Sequence, residues 1–222
     1  MTGRAKSLIK LQLGRVLSWL RPDIVRKLEA STETWRPAAW SASPIERLIR
    51  EALIAKHIAA RDEETLTQSH KKFWTGDHAV NFHATVRGRE KSFLGEHYEL
   101  VEELQKVVAG GRYERLFEIG CGSGFVANHL AERMTMLKDV VGIDLSPKQV
   151  AINQKTYSNP RLRFVAADAT TWIPDNVAPG TVFVAYGGVL EYFSQPILEE
   201  LLRRVATHSP VCFALMEPIA PD

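Results

Sequence analysis

The chain has 222 residues, 45% hydrophobic and 24% charged, enough to bury the core of one α/β domain plus an extension. Its net charge of +2 is too small to argue for nucleic acid, and no apolar run approaches the roughly 20 residues that span a bilayer. Two cysteines, Cys121 and Cys212, lie far apart in apolar strand-like contexts and read as reduced; with no continuous apolar core of a secretory signal at the start, a cytoplasmic location is expected.

Residues 1–30 carry seven basic side chains against two acidic ones, a net of +5, so the remainder is acidic. Within residues 6–20, Ile9, Leu13, Val16, Leu17 and Leu20 share one face of a helix, and Pro22 ends or kinks it. Three readings stand: an element packed on the rest of the protein or on a partner, a peripheral helix on an anionic membrane with Trp19 near the headgroups, and a presequence. Residues 31–44 read as a linker. Ser43-Pro44-Ile45-Glu46 then offers a helix cap, a proline at the first helical position and an early acid, predicting a helix to about Arg61. Residues 69–95 gather His70, His78 and His83 among Phe73, Trp74, Phe82 and Phe93, with His97 just beyond. No spacing there matches a familiar metal site, and the segment is expected to be a lid with a short helix. The predicted organisation is residues 1–44 as basic helix and linker, 45–94 as helical lid extension, and 95–222 as the main domain.

From Gly95 to Val108 the apolar residues trace one helical face, closed by Gly110-Gly111. Strands are expected at Leu116–Ile119, Val140–Asp144, Leu162–Val165, Thr181–Ala185 and Val211–Leu215. Helices are expected from Gly124, Pro147 and Ser194. Near-continuous apolar strands alternating with amphipathic helices predict a doubly wound, mostly parallel α/β sheet covered on both faces.

In such a sheet ligands bind beyond the carboxyl ends of the strands. There the sequence reads Glu118-Ile119-Gly120-Cys121-Gly122-Ser123-Gly124. A dinucleotide fingerprint would want its third glycine at position 125, which is Phe125. Three acids end three successive strands: Glu118, Asp144 (followed by Leu145-Ser146-Pro147) and Asp168 (followed by Ala169). Asp144 could accept from the vicinal hydroxyls of a ribose, Asp168 from an exocyclic amine with the Ala169 backbone on a ring nitrogen, and Glu118 could counter an ammonium. Read singly, Asp144 is a helix cap and Asp168 a turn acid.

Together these segments resemble motif I, the acidic ribose loop and the adenine-contacting acid of the class I S-adenosylmethionine-dependent methyltransferases, over roughly residues 95–217. The resemblance implies a Rossmann-like methyltransferase fold with S-adenosyl-L-methionine as cofactor. It implies a cofactor site from Glu118, Gly120, Cys121, Gly122, Ser123, Gly124, Asp144, Leu145, Asp168 and Ala169. Tyr186 and Gly187 after strand four join it, in a segment similar to the one that passes beneath the sulfonium. Ala185-Tyr186-Gly187-Gly188 departs from the Asn/Asp-Pro-Pro-aromatic signature of nucleic-acid amine methylation. No set of acids resembles that of the metal-dependent catechol type. The family's sheet normally ends in two further strands, whereas this sequence stops at Asp222, so a piece of a longer chain is expected.

The activity implied is in-line methyl transfer to a small-molecule or glycan-like acceptor, at oxygen. A histidine near neutrality suits removal of the hydroxyl proton, and His83 and His97 are the candidates, beside packing roles for both; Glu191 and Tyr186 are alternatives. Arg87 or Arg89 would pair with the cofactor carboxylate or with an anionic acceptor. Two other readings compete: a subunit that binds the cofactor without turnover, and another nucleotide-binding enzyme of the same fold. Acceptor identity and oligomeric state are not legible.

Overall fold

The computed structural model describes residues 3–30, 43–77, 79–85, 95 and 98–217. His97, His78, Arg87, Arg89 and most of the predicted linker lie outside the described residues. The chain divides into two compact units, Met1–Gly76 and Asp77–Asp222. That division precedes the 94–95 boundary expected from sequence.

The first unit is helical: α1 (Gly3–Leu20), α2 (Pro22–Ala30), α3 (Pro44–Ala59) and α4 (Glu63–Trp74). Pro22 separates α1 from α2 because a proline fits the first turn of a helix and not its interior. Ser43 and Glu46 form the full capping box at the start of α3, and Asp62 caps α4 by accepting from the Thr65 amide. Leu28, Ile49 and Leu53 form a small buried cluster with Leu17, Ile24 and Val25 packed against it.

The second unit carries the sheet. After a short helix α5 (residues 79–85) come α6 (Tyr98–Ala109), β1 (Arg115–Ile119), α7 (Phe125–Arg133), β2 (Asp139–Asp144), α8 (Pro147–Thr156) and β3 (Leu162–Ala166). The chain continues with α9 (Ala169–Asn176), β4 (Thr181–Tyr186), α10 (Gln195–Ala206) and β5 (Val211–Met216). All pairings are parallel and the strand order is β3-β2-β1-β4-β5. The predicted α/β architecture is therefore observed.

Strand residues alternate between two cores because successive side chains point to opposite faces. Leu116, Val140, Val182 and Val184 meet α6, α7 and α8, whereas Phe117, Ile119, Val141, Ile143 and Phe183 meet α9 and α10. The helix α9 was not expected. Its Thr170-Thr171 pair and internal Pro174 hide any helical period, and Asp168 opens it as a cap. β1 pairs level with both neighbours, Ile119 standing against Ile143 and Ala185, so the loops after β1, β2 and β4 emerge together. That is the topological switch point of the sheet.

Candidate active site

The turn after β1 is built from glycines that no other residue could replace without strain. Gly120, Gly122 and Gly124 all have positive φ, at 68°, 48° and 75°. The turn is also crowded: a Cβ on Gly124 would lie 2.7 Å from the Phe164 ring, and one on Gly120 2.7 Å from Val189. Cys121 accordingly sits buried, and burial beside Asp144 and Glu118 pushes its thiol well up, keeping it neutral.

Both polar groups of the Gly122 residue are pinned from neighbouring elements. Its N–H donates to Asp144 Oδ2 at 2.9 Å, and its carbonyl accepts from Asn153 Nδ2 at 2.8 Å. Gln149 in turn donates to Asn153 Oδ1 at 2.8 Å, and both side chains are buried. Sequence reasoning missed this pair. Gln149 and Asn153 stand four apart on α8, a spacing that reads equally well as an exposed polar face.

Asp144 ends β2 at 7% exposure; its other oxygen accepts from the Ser146 amide at 2.8 Å. Burial raises its carboxyl to about 6, against the lowering pull of the two amide bonds. Asp168 follows β3 and caps α9, its Oδ1 accepting from the Thr170 amide at 3.0 Å and the Thr170 hydroxyl at 2.6 Å. Glu118 is buried at 2% exposure within β1, Ser123 is buried in the turn, and Ala169 is buried at the start of α9. Leu145 is half-buried. Tyr186 closes β4, and Gly187, at φ 86° with open space where a Cβ would be, anchors its N–H on the Met216 carbonyl at 3.0 Å. The structure thus gathers every candidate cofactor residue at the carboxyl edge.

Glu217 was not singled out from sequence. Standing just after β5, it accepts from the amides of Val189 and Leu190, both at 3.2 Å, and so fixes the segment that packs on Gly120. Burial raises its carboxyl.

His83, from α5, reaches the same edge. A Cβ on Gly122 would lie 2.6 Å from His83 Cε1, so the imidazole rests directly on the turn. Burial lowers its pKa to about 4, leaving it neutral at physiological pH. An ion pair between Asp77 and Lys148 ties the chain just before α5 to the start of α8. An open groove of about 410 Å³ between α6 and α7, lined in part by Tyr98, Phe125 and His129, lies apart from the three strand-tip acids.

The sequence model of a family described as a methyltransferase domain matches residues 116–209, from the first residues of β1 almost to β5. This part of the chain is similar to a methyltransferase domain. The chain is 40% identical over 65 residues to trans-aconitate 2-methyltransferase from Streptomyces avermitilis, a match over 27% of this chain and 23% of that protein. The chain therefore spans about a quarter of the curated relative it matches. Among solved structures, a sugar N-methyltransferase from Streptoalloteichus is similar at 22% identity, with 63% of this chain and 54% of that one covered and a TM-score of 0.48. A plantazolicin methyltransferase in complex with SAH is similar at 17% identity, with 74% and 58% covered and a TM-score of 0.49.

Proposed function

We propose that the domain binds S-adenosyl-L-methionine at the carboxyl edge of its sheet and transfers the methyl group to a hydroxyl of a small-molecule or glycan-like acceptor. One observation carries the reading: the Gly120–Gly124 turn is locked to Asp144, so the closest backbone and the ribose-type carboxylate are placed as one unit. The residues fit the group by their donor chemistry. Each Asp144 oxygen accepts one amide and keeps a second lone pair, which suits a pair of vicinal hydroxyls. Asp168 and the Ala169 backbone would meet the adenine, and Glu118 the ammonium. Leu145 would flank the adenine, while Tyr186 and Gly187 would line the methyl-donor end.

When bound, the cofactor supplies an electrophilic methyl on a positively charged sulfur. The protein's part is to orient an acceptor oxygen in line, exclude water and take a proton. α5 serves as the cover, with His83 on Gly122 and the Asp77–Lys148 pair as its fastening. With its pKa held at about 4, His83 is a weak base in this closed arrangement. His97 is the second candidate base.

The test is incubation with methyl-labelled cofactor and a panel of hydroxylated metabolites and glycans. Label in a methyl ether product supports the reading. Label only in amines overturns the oxygen assignment, and tight cofactor binding with no transfer to any acceptor favours a non-catalytic subunit.

A further inference from the structure

The helix α1 is held to α3 by the wrong side for an ordinary amphipathic helix. The two helices approach closely at Gly14, which is buried; a Cβ there would collide with the Leu48 carbonyl and lie 2.9 Å from Ala52 Cβ. Ser18 turns inward on the same side, its hydroxyl donating to the Gly14 carbonyl at 2.7 Å. At about 100° per residue, Ile9, Leu13, Val16 and Leu20 fall on the opposite side. They are 50%, 50%, 54% and 55% exposed, and Leu8 and Trp19 widen the stripe at 59% and 80%. Six apolar side chains thus form a band facing solvent, more than a soluble surface ordinarily leaves uncovered.

The charges around the band choose its occupant. Lys10 and Arg15, both exposed, flank the stripe on its two sides, and α1 contains no acid at all. A second copy of the helix laid on this face would bring like charges together with nothing to neutralise them. An anionic surface that accepts apolar side chains between basic flanks meets both demands. We propose that α1 lies in the headgroup region of an anionic lipid bilayer, with Ile9, Leu13, Val16 and Leu20 inserted, Trp19 at the interface, and Lys10 and Arg15 reaching the lipid phosphates. Among the described residues no helix is long and apolar enough to cross a membrane, so the contact is peripheral. α3 then acts as the plate on which the lipid-facing helix is mounted.

Sedimentation of the full chain with vesicles tests this. The protein should pellet with phosphatidylcholine vesicles containing phosphatidylglycerol and stay largely in solution with phosphatidylcholine alone. Leu13→Gln with Val16→Gln should weaken partitioning by about 100-fold, at about tenfold for each buried side chain lost. Lys10→Gln with Arg15→Gln should weaken it by about 10- to 30-fold and remove most of the salt dependence. All four side chains are exposed, so melting curves of the variants should match the wild type. Failure of the wild-type chain to pellet with anionic vesicles would overturn the proposal, as would equal partitioning of the Leu13/Val16 variant. A lipid-free dimer that the same variant dissociates would assign the face to a second copy and overturn it too.

Discussion

Asp144→Asn separates the proposed ribose role from a purely structural one. The buried carboxyl titrates at about 6 instead of the ordinary 3.8, so the folded protein holds its proton more tightly than the unfolded chain does. Stability therefore falls as pH rises from about 4 to 6, and above that the buried charge costs the apo protein ~3 kcal/mol. Hydroxyl donors on a bound ribose would reverse part of that cost, because they favour the anion. Affinity for S-adenosylhomocysteine, the product form of the cofactor, should accordingly rise about tenfold from pH 5 to pH 7, following the ionised fraction of Asp144. Asparagine cannot ionise, and it replaces one acceptor facing Gly122 or Ser146 by a donor. At pH 7 the variant should bind more weakly by about 1–2 kcal/mol. At pH 5, where the wild-type group is itself mostly protonated, the gap should shrink to within about threefold. Calorimetric titration at the two pH values reads both effects. His83, lowered to about 4, and the neutral Cys121 thiol do not titrate in that window. Equal affinities at pH 7, or an undiminished gap at pH 5, would refute the reasoning.

Gly122→Ala should cost about 1–2 kcal/mol from its positive φ alone, and its Cβ would collide with the His83 ring. Adding His83→Ala should recover the steric part but not the backbone part, which a double-mutant cycle by chemical denaturation measures. Asn153→Ala leaves the Gly122 carbonyl and the Gln149 amide without their buried partner, and should lower stability by about 1–3 kcal/mol with a fall in Tm. Gly14→Ala should loosen α1 from α3, because the new Cβ meets backbone rather than a flexible side chain; hydrogen exchange in α1 should rise while exchange in β1 stays unchanged.

The parts of this protein that could be read before its structure are those where one physical demand dominates. Val140-Val141-Gly142-Ile143-Asp144 is apolar on both faces because it is covered on both, and the glycines of 120–124 are required by positive φ. Asp168 fits its modest reading as a helix cap, and its proposed adenine contact adds to that cap without displacing it. What stayed hidden depends on which surfaces meet. The orientation of α1 is decided by the close approach at Gly14, so its apolar face turns outward although periodicity marks that face for burial. Gln149 and Asn153 are inside because a backbone carbonyl 31 residues away from Asn153 needs a donor. His83 meets Gly122 across 39 positions of chain, a contact no local pattern announces.

The central claim is that the carboxyl edge of this sheet is a site for S-adenosylmethionine, not for a dinucleotide. Parallel calorimetric titrations of the full chain with S-adenosylhomocysteine and with NAD test it most directly. Saturable one-to-one binding of S-adenosylhomocysteine with no heat from NAD is the predicted result. Tight binding of NAD with none of S-adenosylhomocysteine would contradict it.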